Sequence, residues 1–279
     1  MKLNFTKMHG CGNDYIYFDC FEHMPEDPGA LSVKLSDRHF SVGGDGIVLI
    51  CPSGCADAKM RMFNIDGSEG KMCGNAIRCV GKYLHDIRGV DKTTLTIETL
   101  SGIKKLELTV KDGKTESVSV NMGAPILEGE KIPTTFKGET VVAQPLEVCG
   151  KVYSVTCVSM GNPHCIVFTD EVRDLPLEKI GPEFENNGAF PQRVNTEFVR
   201  VIDKNTLEMR VWERGSGETL ACGTGACASV VAAVLNGFCD KGSEVCVKLI
   251  GGELNITYYD DRVIMRGGAE VAFTGAVEV

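Results

Sequence analysis

Two stretches of the chain place a long helical pattern directly behind a cysteine. After Cys222, residues 223 to 236 are apolar on almost every side, and Gly237 follows as a typical helix stop. After Cys73, residues 74 to 85 place their apolar side chains on one face. The pattern predicts two principal helices over these ranges, and the second must be buried.

Most other apolar positions fall in short runs that predict β-strands. LELTV and SVSVN flank a turn at Asp112-Gly113, and ITYYD and VIMRG flank one at Asp260-Asp261. Strands therefore dominate around two principal helices, which predicts the α+β (α/β) class.

The chain repeats itself at an offset of 149, the spacing from Cys73 to Cys222. RMFNIDGSEGKMCGN (61–75) aligns with RVWERGSGETLACGT (210–224) without a gap, and GNDY (12–15) with GNPH (161–164). GDGIVLI (44–50) aligns with RVNTEFV (193–199), and 95–108 matches 245–258 after one inserted residue. The alignment predicts two pseudo-symmetric halves from an internal duplication, each a mostly antiparallel, barrel-like sheet around a central helix.

Composition narrows the class of protein. The 279 residues are 43% hydrophobic and 24% charged, with a net charge of −9, so no basic surface is predicted for nucleic acid or anionic lipid. No apolar stretch approaches the roughly 18 residues of a membrane span, and the N-terminus lacks a signal-peptide core. These features predict a soluble, cytoplasmic protein.

The cysteines need a separate interpretation. Their number is 13, which is odd, and no C-x-x-C spacing occurs, which argues against a disulfide framework and against a zinc site. Most of them are predicted to be reduced packing thiols.

Cys73 and Cys222 differ from the others because each stands at a helix start. Unpaired N–H groups and the helix dipole there can lower a thiol pKa from about 8.5 to between about 3.5 and 7.5. The following residues, Gly74-Asn75 and Gly223-Thr224, offer donors for a carboxylate.

A pseudo-twofold axis is expected to set these two thiols across a shared cleft. A racemase or epimerase needs that arrangement, since it removes a proton from one face of a carbon and returns one to the other. The design implies no pyridoxal cofactor and no metal. A cysteine hydrolase has no use for the second cysteine, and the glycine-rich segment lacks the lysine of a P-loop. A non-catalytic small-molecule-binding protein that inherited the duplication stays open as a rival.

The motifs FNIDGSEGKMCGNAIRC, GNPHCIVF, RVNTEFV and WERGSGETLACGTGACA resemble those of the diaminopimelate epimerase family. The resemblance covers nearly the whole chain. It implies cofactor-independent interconversion of LL- and meso-diaminopimelate, in lysine and peptidoglycan biosynthesis, on a fold of two pseudo-symmetric halves.

The resemblance also implies roles for particular residues. Cys73 and Cys222 are the two acid–base groups, which exchange roles between the two directions of reaction. Gly74, Asn75, Gly223 and Thr224 hold the carboxylate at the reacting carbon. The remaining substrate-binding set is Asn13, Asn64, Asn162, Asn195, Glu213 and Arg214. His164 and Glu213 resemble groups that tune the cysteine pKa values.

Further expectations concern domains, partners and alternatives. The first half is predicted to span residues 1–122 plus about 268–279, and the second 123–267. Gly46 stands where some family members carry glutamine, which puts one substrate contact in doubt. Dimers are common in the family, so a homodimer is compatible with the resemblance. A proline or hydroxyproline racemase is the alternative with the same paired-cysteine chemistry, but the Glu213-Arg214 pair argues against it.

Overall fold

A computed structural model describes residues 2–278, which form eighteen β-strands and four α-helices. The chain divides into two compact units. The first unit is Met1–Asn121 with Arg266–Val279, and the second unit is Met122–Met265. The mixed α+β class predicted from the apolar pattern is confirmed.

The first unit contains nine strands and two helices in its described part. In chain order these are β1 (Lys2–Gly10), β2 (Asn13–Asp19), α1 (Pro28–Ser36), β3 (Gly46–Cys51), β4 (Ala58–Asn64), β5 (Glu69–Gly70), α2 (Gly74–Lys82), β6 (Thr94–Thr99), β7 (Gly102–Lys111) and β8 (Lys114–Gly123). The last strand of the chain, β18 (Glu270–Glu278), belongs to this unit as well.

The second unit repeats that order. Its elements are β9 (Val141–Val148), β10 (Lys151–Ser159), β11 (Pro163–Phe168), α3 (Leu177–Glu185), β12 (Asn195–Asp203), β13 (Thr206–Glu213), β14 (Gly217–Thr219), α4 (Gly223–Leu235), β15 (Glu244–Leu249), β16 (Gly252–Tyr258) and β17 (Val263–Gly267).

Strand pairing confirms the internal duplication. The first unit pairs its strands in the order β18-β1-β2-β3-β4-β6-β7-β8, and the second in the order β9-β10-β11-β12-β13-β15-β16. The second and third strands of each series are antiparallel, and the next pair is parallel in both. The register also repeats at the offset of 149: Ile47 lies opposite Phe63, and Thr196 lies opposite Trp212 in the equivalent ladder.

The principal helix of each unit lies against the sheet that surrounds it. In the second unit, α4 packs against β10, β11, β12, β13, β15 and β16, so the sheet must curl around it. This explains why α4 is apolar on nearly every side, since ten of its thirteen residues are buried. In the first unit, α2 packs against β1, β2 and β7.

The boundaries of the two principal helices follow local chemistry. The second helix ends at Leu235, and Gly237 adopts a φ of 77° immediately after it, as predicted for a glycine stop. The first helix ends as an α-helix at Lys82 and continues as a π-helical turn over Tyr83–Ile87, so the predicted single helix changes its hydrogen-bond pattern at Tyr83.

Two further helices, α1 and α3, were not predicted. Each is nine residues long, and the offset of 149 carries one onto the other. The α1 helix begins where the Asp27 side chain accepts a hydrogen bond from the Ala30 N–H, with Pro28 in the first turn. The α3 helix contains Pro182, which removes a backbone donor and so weakens a sequence-based helix signal.

The predicted turn at Asp112-Gly113 is a two-residue hairpin turn. Lys111 pairs with Lys114, while Asp112 and Gly113 have φ values of 51° and 72°. Two positive φ values are typical of a type I′ turn, which matches the twist of the flanking strands. At the second predicted turn, the Tyr259 N–H donates to the Arg262 carbonyl between β16 and β17.

The packing of α3 on β13 can be tested at Gly181. A Cβ at this position would overlap the indole of Trp212. We expect Gly181→Ala to lower the free energy of unfolding by about 1–3 kcal/mol, because overpacking outweighs the gain of up to about 1 kcal/mol in helix propensity. Urea denaturation measures the change. Gly188→Ala is the matched control, since a Cβ there meets no atom within 4 Å, and equal stability of the two variants would contradict the packing argument.

Candidate active site

Cys73 is the N-cap residue of α2. Its backbone is extended, with φ −130° and ψ 124°, and its Sγ accepts a hydrogen bond from the Ala76 N–H at 3.5 Å. This is the geometry of a serine or aspartate N-cap, with sulfur in place of oxygen. The thiol is partly exposed. Gly74 and Asn75, the predicted carboxylate-binding residues, are the first two residues of the helix and are buried.

A polar network holds the amide of Asn13 against this thiol. Asn13 Oδ1 accepts from Cys73 Sγ at 3.4 Å, while Asn13 Nδ2 donates to Asp45 Oδ2 at 2.7 Å. Arg38 bridges Asp45 and Asp14 at 2.9 and 2.6 Å. Burial alone would raise the pKa of Asp14, but its bonds to Arg38 and Lys7 hold that pKa below its usual value.

Cys222 occupies the equivalent position at the start of α4. It is also an extended N-cap residue, and its Sγ accepts from the Gly225 N–H at 3.4 Å. The Thr224 hydroxyl lies 3.5 Å from the same sulfur. Unlike Cys73, this thiol is buried, with 6% of the residue exposed. Gly223 and Thr224 form the first turn of the helix, as predicted.

The expected lowering of the thiol pKa is wrong for Cys222. Burial raises the pKa of the Cys222 thiol well above its ordinary value, and the carboxylates of Glu213 and Glu197 raise it further. The Thr224 hydroxyl and the Gly225 N–H act in the opposite direction. The helix N-terminus is therefore present, but desolvation and two nearby carboxylates outweigh it.

A chain of polar side chains connects the Thr224 hydroxyl to a buried carboxylate. Asn162 Nδ2 donates to Thr224 Oγ1 at 3.3 Å, and Asn162 Oδ1 lies 3.0 Å from His164 Nε2. His164 Nδ1 lies 2.7 Å from Glu197 Oε1. Both His164 and Glu197 are fully buried. The predicted residues Asn162 and His164 thus belong to one network with Thr224 and Cys222.

Glu213 and Arg214 lie at the end of β13. Burial raises the pKa of the Glu213 carboxyl, and the charge of Glu197 raises that pKa further. The Thr219 hydroxyl donates a hydrogen bond to Glu213 and acts in the opposite direction. Arg214 Nη1 donates to the Gln192 carbonyl at 3.0 Å, and the Arg214 N–H donates to Asn195 Oδ1 at 3.0 Å. A carboxyl and a guanidinium are thus adjacent in sequence, and each has its own hydrogen-bond partner, Thr219 for Glu213 and the Gln192 carbonyl for Arg214.

The amide of Asn195 has a structural use in this arrangement. Besides accepting from the Arg214 N–H, it donates through Nδ2 to the Pro163 carbonyl at 2.8 Å, and the residue is buried. In the first unit the equivalent position is Gly46. Its φ is 146°, and a Cβ there would overlap the Phe63 carbonyl oxygen, so this backbone excludes a glutamine side chain.

Asn64 closes the turn that precedes α2. Its Nδ2 donates to Ser68 Oγ at 3.0 Å, and its N–H donates to the Ser68 carbonyl at 2.9 Å. This bonding within the turn is the usual role of such an asparagine. The structure thus joins Asn13 to Cys73, and Asn162 and His164 to Cys222, whereas the Asn64 amide bonds to Ser68 within its own turn.

Sequence reasoning missed Asp45 and Glu197. Asp45 follows the glycine-rich segment SVGG and holds Asn13, whereas Glu197 is the acidic residue inside the predicted strand RVNTEFV. A charged side chain directly before the apolar pair Phe198-Val199 in a predicted strand is the signal that could have identified Glu197.

Within residues 2–278, no three His, Cys, Asp or Glu side chains are grouped as a metal site. The same part of the chain has no helix that is long and apolar enough to cross a membrane. The cysteines of this part of the chain form no disulfide bond.

Solved structures share the duplicated α+β fold at low sequence identity. A phenazine biosynthesis protein of the PhzF family from Bacillus anthracis has a TM-score of 0.69 at 17% identity, with both chains fully covered. A hydroxyproline epimerase from Agrobacterium vitis has a TM-score of 0.70 at 14% identity, covering 99% of this chain and 92% of the other. These likenesses define the fold.

Sequence comparison defines the family. The family model described as Diaminopimelate epimerase matches residues 5–128 and 156–272. A diaminopimelate epimerase from Acetivibrio thermocellus is 56% identical, covering 99% of each chain, and one from Methanococcus maripaludis strain S2 is 53% identical, covering 99% of this chain and all of the relative. The chain belongs to the diaminopimelate epimerase family, and it is therefore an isomerase.

The influence of Glu213 on the Cys222 thiol can be tested without substrate. We expect Glu213→Gln to lower the thiol pKa, because it removes a negative charge that opposes the thiolate. At a pH below the thiol pKa, the thiolate fraction rises about tenfold when that pKa falls by about 1. Cys222 should therefore be alkylated several-fold faster by iodoacetamide at about pH 8, and peptide mass spectrometry measures the rate.

Glu218→Gln is the control for this experiment, since Glu218 pairs with Arg210 and is not among the largest causes of the Cys222 pKa shift. An unchanged rate at Cys222 in Glu213→Gln would contradict the electrostatic assignment.

Proposed function

We propose that the chain catalyses the cofactor-independent epimerisation of LL-diaminopimelate to meso-diaminopimelate, a step in lysine and peptidoglycan biosynthesis. The observation that carries the proposal is the pair of equivalent N-cap cysteines, one at the start of each principal helix. Membership of the diaminopimelate epimerase family supports the substrate. The thirteen thiols suit a reducing cytoplasm, which is the location that we propose.

The reaction needs two acid–base groups, and Cys73 and Cys222 are the groups proposed. One cysteine, as a thiolate, removes the α-proton, and the electron pair of the C–H bond moves toward the substrate carboxylate. The other cysteine, as a thiol, returns a proton to the opposite face of the carbon. The first then carries the proton and the second the charge, so the reverse reaction exchanges their roles. Each proposed epimerase half supplies one cysteine.

Helix N-termini suit the charge that develops in this reaction. The backbone N–H groups around Gly74, Asn75, Gly223 and Thr224 are proposed to bind the carboxylate beside the reacting carbon. Their partial positive charge stabilises the additional electron density on its oxygens in the transition state. The bonds from the Ala76 and Gly225 N–H groups to the two sulfurs support this role, because they are donors of the same first helical turns.

The distal end of the substrate carries a second amino group and a second carboxylate. Arg214 suits the carboxylate through charged hydrogen bonds, and Glu213 suits the ammonium group. The polar side chains proposed to complete the binding site are Asn13, Asn64, Asn162 and Asn195. Asn195 supports Arg214 through its backbone N–H, so its contribution is partly one of positioning.

His164 and Glu213 are proposed to tune the acid–base groups. The charge on Glu213 raises the pKa of Cys222, which favours the protonated thiol in the free enzyme. The alternative substrates, proline and hydroxyproline, are not favoured, because the hydroxyproline epimerase shares only 14% identity with this chain, against 56% for a diaminopimelate epimerase.

The decisive experiment is incubation of the reduced protein with LL-diaminopimelate in deuterium oxide. We expect an LL/meso mixture in which the inverted α-carbon carries deuterium, because the returned proton comes from a thiol that has exchanged with solvent. Chiral chromatography measures the LL/meso ratio, and mass spectrometry measures the deuterium content. Cys73→Ala and Cys222→Ala should each lower kcat by about 10²–10⁴-fold, the range for loss of an acid–base group.

Cys55→Ala and Cys149→Ala are the matched controls, since each removes an exposed cysteine from one of the two units. Wild-type protein that neither inverts the substrate nor incorporates deuterium would refute the proposed reaction. Full activity in either Cys73→Ala or Cys222→Ala would refute the two-base assignment.

Recognition of the distal carboxylate can be tested at Arg214. We expect Arg214→Ala to lower kcat/KM by about 10- to 150-fold, since a hydrogen bond between charged groups contributes about 1.5–3 kcal/mol. Arg200→Ala is the control, because Arg200 is exposed and its ion-pair contact with Glu208 is 3.8 Å long. Equal kcat/KM values for the two variants would remove Arg214 from the binding site.

A further inference from the structure

Glu197 is a carboxylate in the interior of the second unit. It lies on β12, it is fully buried, and its Oε1 is 2.7 Å from His164 Nδ1. Its Oε2 has no hydrogen-bond partner among the described residues. A buried carboxyl with one hydrogen bond is costly in free energy. Its presence in the buried first half of β12 therefore calls for an explanation beyond packing.

The start of α4 leaves room for this carboxyl. A Cβ at Gly225 would lie 2.5 Å from Glu197 Oε1, so only glycine fits there without a shift. At the offset of 149, the equivalents of Glu197 and Gly225 in the first unit are Val48 and Ala76. The second unit thus combines an acid with a glycine where the first unit combines an apolar side chain with alanine.

The chain of hydrogen bonds that leads from His164 through Asn162 and Thr224 to Cys222 runs in a single direction. Asn162 donates through Nδ2 to Thr224 Oγ1, so its Oδ1 faces His164 Nε2 as an acceptor. Nε2 therefore carries a hydrogen. The Thr224 oxygen accepts from Asn162 and keeps its own hydrogen for Cys222 Sγ, 3.5 Å away. In each of these hydrogen bonds, the donor is the group nearer His164 and the acceptor is the group nearer the sulfur. Hydrogen bonds in such a chain strengthen one another.

The positions of the protons on His164 define the role of Glu197. With Nε2 protonated, Nδ1 and Glu197 Oε1 are joined by one further proton, whichever atom holds it. We propose that Glu197 is a positioning residue that fixes the Nε2–H form of His164 and thereby directs the Thr224 hydroxyl toward the Cys222 sulfur. The catalytic meaning of this arrangement rests on the acid–base role of Cys222 proposed above.

Loss of Glu197 has a defined consequence in this scheme. A neutral His164 without its partner can place its hydrogen on Nδ1 instead. The bare Nε2 then requires a donor, so the Asn162 amide turns over and its Oδ1 takes the Thr224 hydrogen. The sulfur loses a donor that stabilises the thiolate. Loss of Glu197 also removes the charge that raises the Cys222 pKa, and Glu197→Gln removes the same charge, so a comparison of valine with glutamine isolates the hydrogen-bond direction.

The test compares two substitutions at this position. Glu197→Val introduces the residue found at the equivalent Val48, and Glu197→Gln keeps an NH₂ group that can donate to Nδ1 and so preserve the Nε2–H ring. Glu208→Gln is the control, since it neutralises another carboxylate of the second unit, one that is paired with Arg173. Ring ¹⁵N chemical shifts of His164, assigned with His164→Gln, report which nitrogen carries hydrogen. Iodoacetamide alkylation without substrate, followed by peptide mass spectrometry, reports on Cys222 and Cys73 in the same molecule.

We expect Nε2–H rings in the wild type and in Glu197→Gln, and a mixture of ring forms in Glu197→Val. Alkylation of Cys222 should be about tenfold slower in Glu197→Val than in Glu197→Gln, as for loss of a hydrogen bond to a charged acceptor. Alkylation of Cys73 should be unchanged, because its sulfur is bonded to Asn13 in the first unit.

Several results would overturn the proposal. One is a wild-type His164 ring with hydrogen on Nδ1 and none on Nε2, which requires no variant to fold. Others are a Cys222 rate in Glu197→Val equal to that in Glu197→Gln, or an equal change at Cys222 and Cys73, which would indicate general loosening. Neither readout uses substrate, so failure of the epimerase assay in the wild type would refute the proposed reaction and leave the positioning result intact.

Discussion

The hydrogen bond from a helical N–H to a cysteine sulfur connects the fold of this protein to its chemistry. At the start of α2 and of α4, the cysteine replaces the usual oxygen side chain of an N-cap, so the same atom that begins the helix is the proposed acid–base group. A helix start is a fixed point of the backbone, and its remaining donors lie beside the sulfur. Burial of α4 within a curled sheet then removes Cys222 from water and raises its pKa.

The duplication supplied two equivalent helix starts, but the side chains around them have diverged in charge. In the second unit, Glu197, Glu213 and His164 surround the network that ends at Cys222. In the first unit the buried Arg78 donates to the Gly74 carbonyl at 3.1 Å, one turn into the helix. A reaction that needs one thiol and one thiolate is served by unlike surroundings on a common backbone.

Much of the fold could be predicted from the sequence because its signals are periodic. The offset of 149 between Cys73 and Cys222 aligned the strands, and the observed ladders have the same offset in their register. The missed helices α1 and α3 obey it too, although Pro182 conceals the helical pattern of the second. Short helices with an interior proline have weak local signals, and packing on the sheet decides their structure.

The sequence by itself determined the duplication, the two helix starts and the cysteines that occupy them, since these depend on spacing and local backbone chemistry. Only the tertiary structure decided the surroundings of the thiols. Asp45 reaches Asn13 from 32 positions along the chain, and Glu197 reaches His164 from 33. It also decided the raised pKa of Cys222, because desolvation and charge act through space and depend on which side chains the fold brings together.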